Sequence, residues 1–237
     1  KVNEFAVVQL KADLSQLSEK EKEMIPIFIE VADIMDELFW MQTYGKKEDL
    51  LSKVSDEWTK KFIEINYGPW ERLNENKSFI KDIGEKPLGA NFYPSDMTKQ
   101  EFENLQDTNK TSQYTIIRRK ADKSLEVVWY HEFYKEKLKK AADLINKAAL
   151  LAEDEGFKKY LELTAVALMN SNYFDRDMAW MDMKTSKIDF LVGPTENYED
   201  ALFGYKTAFE SFILLKDMDW SAKLEKFSKM LPKLQAG

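Results

Sequence analysis

Ser18, followed three residues later by Glu21, opens the longest helical period in this chain. A serine hydroxyl and a glutamate at that spacing satisfy each other's orphan backbone donors, so the pair marks a helix start. Behind it Ile27, Val31, Ile34, Leu38 and Met41 recur every three or four residues, which predicts one continuous apolar face. A long helix with one apolar side needs a partner surface, and this commits the chain to a layered, helix-rich core. Pro26 lies inside the period and predicts a kink or a delayed helix start.

The same spacing returns along the chain. A helix over about 47–65 carries Leu51, Val54, Trp58, Phe62 and Ile65 on one side. Thr98 with Glu101 forms a second capping box before a short helix. A helix pair follows over about 132–153 and 157–170, broken at Gly156, and a terminal helix over about 219–235. Between these lie β signals. Tyr114–Arg119 and Leu125–Tyr130 are β-branched and aromatic runs flanking polar Lys120–Ser124, which predicts a hairpin near 113–130. Met178–Met183, Ile188–Val192 and Tyr205–Leu215 read as strands of a small, mostly antiparallel cluster near 178–216, joined by polar Gly193–Gly204. Residues 2–10 read as a short strand or extended arm. Residues 66–97 show no period, yet hold Trp70, Phe79, Phe92 and Tyr93, which predicts an ordered excursion packed on its own side chains. With only 8 Gly and 6 Pro, the composition argues against a turn-rich all-β sandwich. The fold class is α+β, predominantly helical. The domain reading is a single lobe, 1–237, with a helical part over about 14–170 and a β part over about 178–216. Lys1 in place of Met, and an end directly after a helical pattern, read as two cut ends.

The donor inventory excludes more chemistry than any motif supports. There is one histidine, His131, and no cysteine. A zinc site draws on His, Cys and carboxylates, and a hydrolytic HExxH helix needs two histidines one turn apart. His131-Glu132 begins that motif, but Lys135 stands where the second histidine belongs. No G-x-S-x-G elbow, P-loop or Nudix helix is present. No catalytic and no metal-binding residue is assigned to this chain. Its 35 basic residues are outnumbered by 42 acids mixed among them, which argues against a nucleic-acid partner. No apolar run approaches the roughly 20 residues of a membrane span. The expectation is a soluble protein, cytoplasmic or exported in a bacterium, with the compartment open.

Four constellations remain to be weighed. His131 stands where a strand gives way to a helix and reads as a structural or capping histidine. Asp175, Asp177, Asp182 and Asp189 cluster, but an EF-hand counted from Asp175 would put Trp180 and Ser186 at its glycine and glutamate positions. They read as solvated or capping carboxylates. Glu196 and Asp200 form a carboxylate pair within reach for acid–base hydrolysis, a weak signal in a chain with this many acids. Trp58, Phe62, Trp70, Phe92 and Tyr93 read as core, with a ligand cleft as the alternative.

Three stretches together resemble a known family: Asn66-Tyr-Gly-Pro-Trp70, Gly89-Ala-Asn-Phe-Tyr-Pro94, and Gly193-Pro-Thr-Glu-Asn-Tyr-Glu-Asp200 running into Leu202–Lys206 and Phe209-Glu210. Their order resembles the M49 zinc peptidases, the dipeptidyl-peptidase III family. The nearest likeness is to the bacterial and plant branch labelled Zn-dependent hydrolase or fused to Nudix domains. The family's G-F-I-E-x-Y-x-D-P-x-G stretch is matched at Gly193, Glu196, Tyr198, Asp200 and Gly204. In that family the zinc lies further along the polypeptide, on HExxGH or HExxH. The resemblance therefore implies a non-catalytic N-terminal lobe without cofactor of its own, the zinc belonging to a C-terminal half. The implied partners are short peptides and that zinc-binding lobe of the same polypeptide. It further implies substrate contacts at Asp189, Leu191, Glu196, Tyr198 and Asp200. Ile188–Val192 aligns with a peptide-pairing edge strand, Asp189 with an acid that holds the substrate ammonium, and Leu191 with an aromatic position. Glu196, Tyr198 and Asp200 either touch substrate or brace the turn. The alternative is a stand-alone peptide- or protein-binding domain derived from the family.

Overall fold

A computed structural model of the chain describes residues 1–236. In chain order its elements are α1 (Glu19–Thr43), α2 (Lys47–Leu51), α3 (Glu57–Asn66), β1 (Trp70–Glu71), β2 (Lys77–Ser78), α4 (Lys99–Asn104), β3 (Thr115–Arg119) and β4 (Leu125–Trp129). There follow α5 (Tyr130–Phe133), α6 (Lys135–Leu151), α7 (Glu155–Asn170), α8 (Phe174–Asp182), β5 (Ile188–Glu196), β6 (Ala208–Leu215) and α9 (Met218–Gln235). The fold is α+β and predominantly helical. The strands form three separate antiparallel ribbons, β1–β2, β3–β4 and β5–β6.

The Ser18–Glu21 capping box forms in full, with Glu21 N–H donating to Ser18 Oγ (3.1 Å) and Ser18 N–H to Glu21 Oε2 (2.8 Å). That cap holds the start of α1 at Glu19, so the helix is not delayed and runs on across Pro26. Its buried stripe centres on Met24, Phe28, Val31, Met35 and Leu38, while Ile27 and Met41 lie half-buried at the flanks. α1 is the spine of the molecule: α6 packs on one side, the β5–β6 ribbon on another. Phe28 stacks on Phe190 of β5 with centroids 4.2 Å apart. At Leu38, the one leucine of this spine and fully buried, truncation to Ala would cost about 2–5 kcal/mol.

The structure corrects the sequence expectations at several points. The single helix over 47–65 is two, because the Asp56 carboxylate caps a new start at Glu57 by accepting from Thr59 N–H (2.7 Å). Trp58 is thereby turned outward, 61% exposed, while Phe62, Trp70, Phe92 and Tyr93 are core. The helix pair breaks at Asp154, which caps α7 through Phe157 N–H (2.8 Å), and Gly156 sits inside the first turn. Met178–Met183 is not a strand: Met178–Asp182 is the second half of α8 and Met183 its C-cap. Its apolar run was misleading because Phe174, Met178 and Met181 face outward while Arg176 and Ala179 are the buried positions. Residues 2–10 form a 3-10 turn at Val2–Glu4 followed by irregular chain, with Val7, Val8 and Leu10 exposed. The excursion after α3 is ordered: Trp70 donates Nε1–H to Gly84 O (2.8 Å), and Phe92 O accepts from Ile117 N–H (2.9 Å).

Candidate functional site

β5 runs into a turn, 197–207, that brings the chain back as β6. The ribbon's register bulges at Pro194/Glu196, where the strand bends out of the sheet. Gly193 opens this bend at φ +127°, and a Cβ there would meet Arg176 Nη1 at 3.3 Å. Around the bend the three motif stretches converge.

Asp200 organises the turn. Its Oδ1 accepts from the N–H groups of Leu202 (3.2 Å) and Phe203 (3.1 Å). Its Oδ2 accepts from Tyr205 N–H (2.9 Å), Lys206 N–H (3.0 Å) and Tyr93 Oη (2.6 Å). The carboxylate is buried, and five donors converge on it. A Cβ on Gly89 would run into the Tyr93 ring, so the glycine of the second stretch lets that tyrosine reach Asp200. Beside it lies Lys206, fully buried, whose Nζ donates to Lys110 O (2.7 Å), Ser112 O (2.9 Å) and Thr115 Oγ1 (2.7 Å). Burial pushes the Lys206 ammonium down to about 7, against the pull of the Asp200 charge.

Glu199, one residue earlier, points inward as well. It is paired with Arg72 and, at 2.8 Å, with Lys86. Burial pushes its carboxyl up, but the two cations outweigh this and hold it below the usual carboxylate range. Tyr198 points the other way, 60% exposed, and donates its hydroxyl to Glu210 Oε1 (3.0 Å). Burial and the Glu210 charge push the Tyr198 phenol up to about 12. The Glu210 carboxyl is raised: burial is the larger cause, the Tyr198 and Thr195 hydrogen bonds oppose it, and the charges of Glu196 and Glu199 add to it.

Tyr198 and Glu210 form one wall of a groove of about 450 Å³ between α1 and β6, with Asp33, Asp36, Tyr67 and Phe212 also lining it. Tyr67, the aromatic of the first motif stretch, ends α3 in the left-handed region (φ 52°) and donates its hydroxyl to Asp36 Oδ1 (2.7 Å). Two tyrosines, each on its own carboxylate, thus face an acidic, half-enclosed space suited to a cation rather than an anion.

Of the five expected contacts, Glu196 and Tyr198 are exposed at this end, while Asp200 lies beneath it. Asp189 and Leu191 lie on the outward face of the ribbon, opposite Leu214 and Phe212. Asp189 there accepts a hydrogen bond from Trp180 Nε1 (2.9 Å). Glu196 and Asp200 do not face a common space, so they make no acid pair. Glu210, Asp36, Tyr67 and Glu199 were not singled out from sequence. Glu210, Tyr67 and Glu199 lay within quoted motifs. Asp36 is placed only by the packing of α1 against β6.

The edge of β5 also differs from expectation. Lys187 O accepts from Lys216 N–H (2.8 Å), so alternate residues of β5 turn toward β6 and the others turn outward. The outward carbonyls are taken: Ile188 by Ser186 Oγ (2.7 Å), Phe190 by Tyr160 Oη (2.6 Å), Val192 by Arg176 Nη1 (2.7 Å). Ile188–Val192 therefore offers no free pairing edge. By the same alternation the main-chain groups of Ser211, Ile213 and Leu215 turn away from β5, and among the described residues nothing pairs with them.

The single imidazole, His131, is engaged through Nδ1 with Ser171 Oγ (2.9 Å), and no group of three His, Asp or Glu converges among the described residues. No helix of the described residues is long and apolar enough to cross a membrane.

No family model matches the chain. It is similar to Nudix hydrolase 3 of Arabidopsis thaliana, 30% identical over 295 aligned positions, covering 98% of this chain and 38% of the relative. Among solved structures it matches dipeptidyl-peptidase III from Caldithrix abyssi, 42% identical with a TM-score of 0.94, covering 100% of this chain and 47% of that one. It also matches dipeptidyl-peptidase III from Corallococcus sp. strain EGB, 35% identical with a TM-score of 0.90, covering 97% and 45%. The chain spans less than half the length of each of these three proteins.

Proposed function

We propose that this chain, which is dipeptidyl-peptidase III-like over its whole length and corresponds to an N-terminal half, is the peptide-gripping lobe of a zinc peptidase, without zinc or turnover of its own. The observation that carries the reading is the groove where Tyr198–Glu210 and Tyr67–Asp36 face each other. A peptide's ammonium terminus satisfies an excess of carboxylate that the fold leaves uncompensated there. At about 4 Å in a half-buried site such a pair attracts with about 4 kcal/mol before desolvation. Glu196 stands exposed at the same end of the ribbon. Leu191, with Asp189 further along, lines the ribbon face over which the following residues lie. Asp200 braces the turn from beneath. Main-chain pairing to the peptide does not come from β5, whose edge is taken.

The rest of the enzyme is a partner in this reading. α9 buries no residue, and Trp220, Leu224, Phe227, Leu231 and Leu234 form an exposed apolar seam at heptad spacing. That seam and the open edge of β6 are surfaces for the zinc-binding half of the same polypeptide. They favour a lobe of a larger enzyme over a stand-alone binding domain.

Calorimetric titration of the chain with a short apolar peptide tests the proposal. The free-amine peptide is expected to bind, and its N-acetylated form to bind at least tenfold more weakly. Glu210→Gln is expected to lose about tenfold, about 1.4 kcal/mol, and Asp189→Asn less. Equal binding of both peptide forms refutes the groove assignment, and zinc-dependent dipeptide release by the purified chain refutes the division of labour.

A further inference from the structure

We infer that Arg72 is a positioning residue for the Tyr198–Glu210 end of the groove, acting through the buried carboxylate of Glu199; this rests on the reading of that groove as the peptide site.

The turn 197–200 changes direction once: Asn197 and Tyr198 stand outward, and Glu199 and Asp200, which follow, are both buried. The outward tyrosine is as fixed as the inward pair next to it. Asp200 is anchored to Tyr93 and to the turn's own N–H groups. Glu199 has no backbone donor among its partners and depends on the side chains of Arg72 and Lys86. Those two arrive from the excursion between α3 and α4, not from the turn itself.

Arg72 is itself held on several sides. Its N–H donates to Asn66 Oδ1 (2.9 Å) and its Nε–H to Asn66 O (2.8 Å). Its guanidinium lies over the rings of Phe39 (5.4 Å) and Tyr67 (5.8 Å). Asn66 is buried and donates to Phe62 O (2.8 Å). A chain of fixed groups thus runs from the end of α3 through Asn66, Arg72 and Glu199 to the base of Tyr198. The Tyr67 ring beneath the guanidinium is the one whose hydroxyl lines the opposite wall. One arginine therefore sets the spacing of both tyrosines. Without it, a carboxylate with 1% exposure keeps only Lys86 against its desolvation, and the turn relaxes by moving Glu199 toward water. That movement takes Tyr198 off Glu210.

The test uses the whole chain with ¹³C-labelled tyrosine, the Tyr198 ring resonance being assigned through Tyr198→Phe. Arg72→Gln is expected to shift that resonance and to weaken the free-amine peptide at least tenfold. The triple change Arg72→Gln, Lys86→Met and Glu199→Gln, which removes all three charges of the cluster together, is expected to restore both. If Arg72→Gln lowers the melting temperature but leaves the Tyr198 resonance and the affinity unchanged, Arg72 is only a structural residue and the inference fails. If the parent chain does not bind the peptide, the groove reading fails, and the Tyr198 resonance alone still decides the role of Arg72. Should Arg72→Gln not fold, Lys86→Met must move the resonance in the same sense, and no movement overturns the inference.

Discussion

Replacing Asp200 by Asn changes one oxygen for an NH₂ group and leaves the shape intact, yet it should be among the costliest single changes at this site. Asp200 Oδ1 accepts from two backbone N–H groups, and Oδ2 from two more plus Tyr93 Oη. Whichever way the amide turns, its NH₂ faces two buried N–H donors. Tyr93 can rotate its hydroxyl to accept, but the backbone cannot. Each orphaned buried donor costs about 1–3 kcal/mol, so the change costs about 4 kcal/mol. In a domain of this size each kcal/mol moves the midpoint by about 2–4 °C, which gives a fall of about 8–16 °C. Tyr93→Phe removes one bond to a charged acceptor and should cost less, about 1.5–3 kcal/mol. Thermal melts followed by circular dichroism at pH 7 read both. An Asp200→Asn midpoint within about 2 °C of the parent, or a larger loss for Tyr93→Phe, refutes the account of the turn.

The Glu199 carboxyl titrates lower in the folded chain than in the unfolded one, where it titrates at about 4.3. Its contribution is thus present above that value and lost as pH falls through the folded one. Denaturation by urea between pH 3 and 6 should show a shallower acid loss in Glu199→Gln than in the parent. Gly193→Ala forces a left-handed φ on a residue with a Cβ that meets Arg176; a loss of about 1–3 kcal/mol is expected in the same assay. Phe227→Lys with Leu231→Lys on α9 should leave the melting midpoint within about 2 °C, since the helix buries nothing. The same pair should reduce any self-association seen by light scattering.

Local chemistry is what the sequence reports well. The boxes Ser18–Glu21 and Thr98–Glu101 gave helix starts to the residue because capping is decided within four positions. The hairpin Thr115–Arg119/Leu125–Trp129 was legible for the same reason. α8 was not, because its apolar side chains face outward and imitate alternation. Within the site, Glu196, Tyr198 and Asp200 were visible as a motif, but not their directions: Asp200 inward, Tyr198 outward. Glu199 passed unremarked because its meaning comes from Arg72, 127 residues away. Asp36 and Tyr67 belong to the groove only through the packing of three distant segments. Such relations have no one-dimensional trace.

The plugged carbonyls of β5 limit what the ribbon can grow into. A two-stranded sheet with both borders bare templates endless stacking, the hazard of fibril formation. Here Ser186, Tyr160 and Arg176 seal one flank, so recruitment is possible on the other alone. Two copies meeting through β6 would make a four-stranded sheet with both rims sealed, a closed pair about a twofold axis. Association through this ribbon terminates at its first event and cannot propagate into a filament.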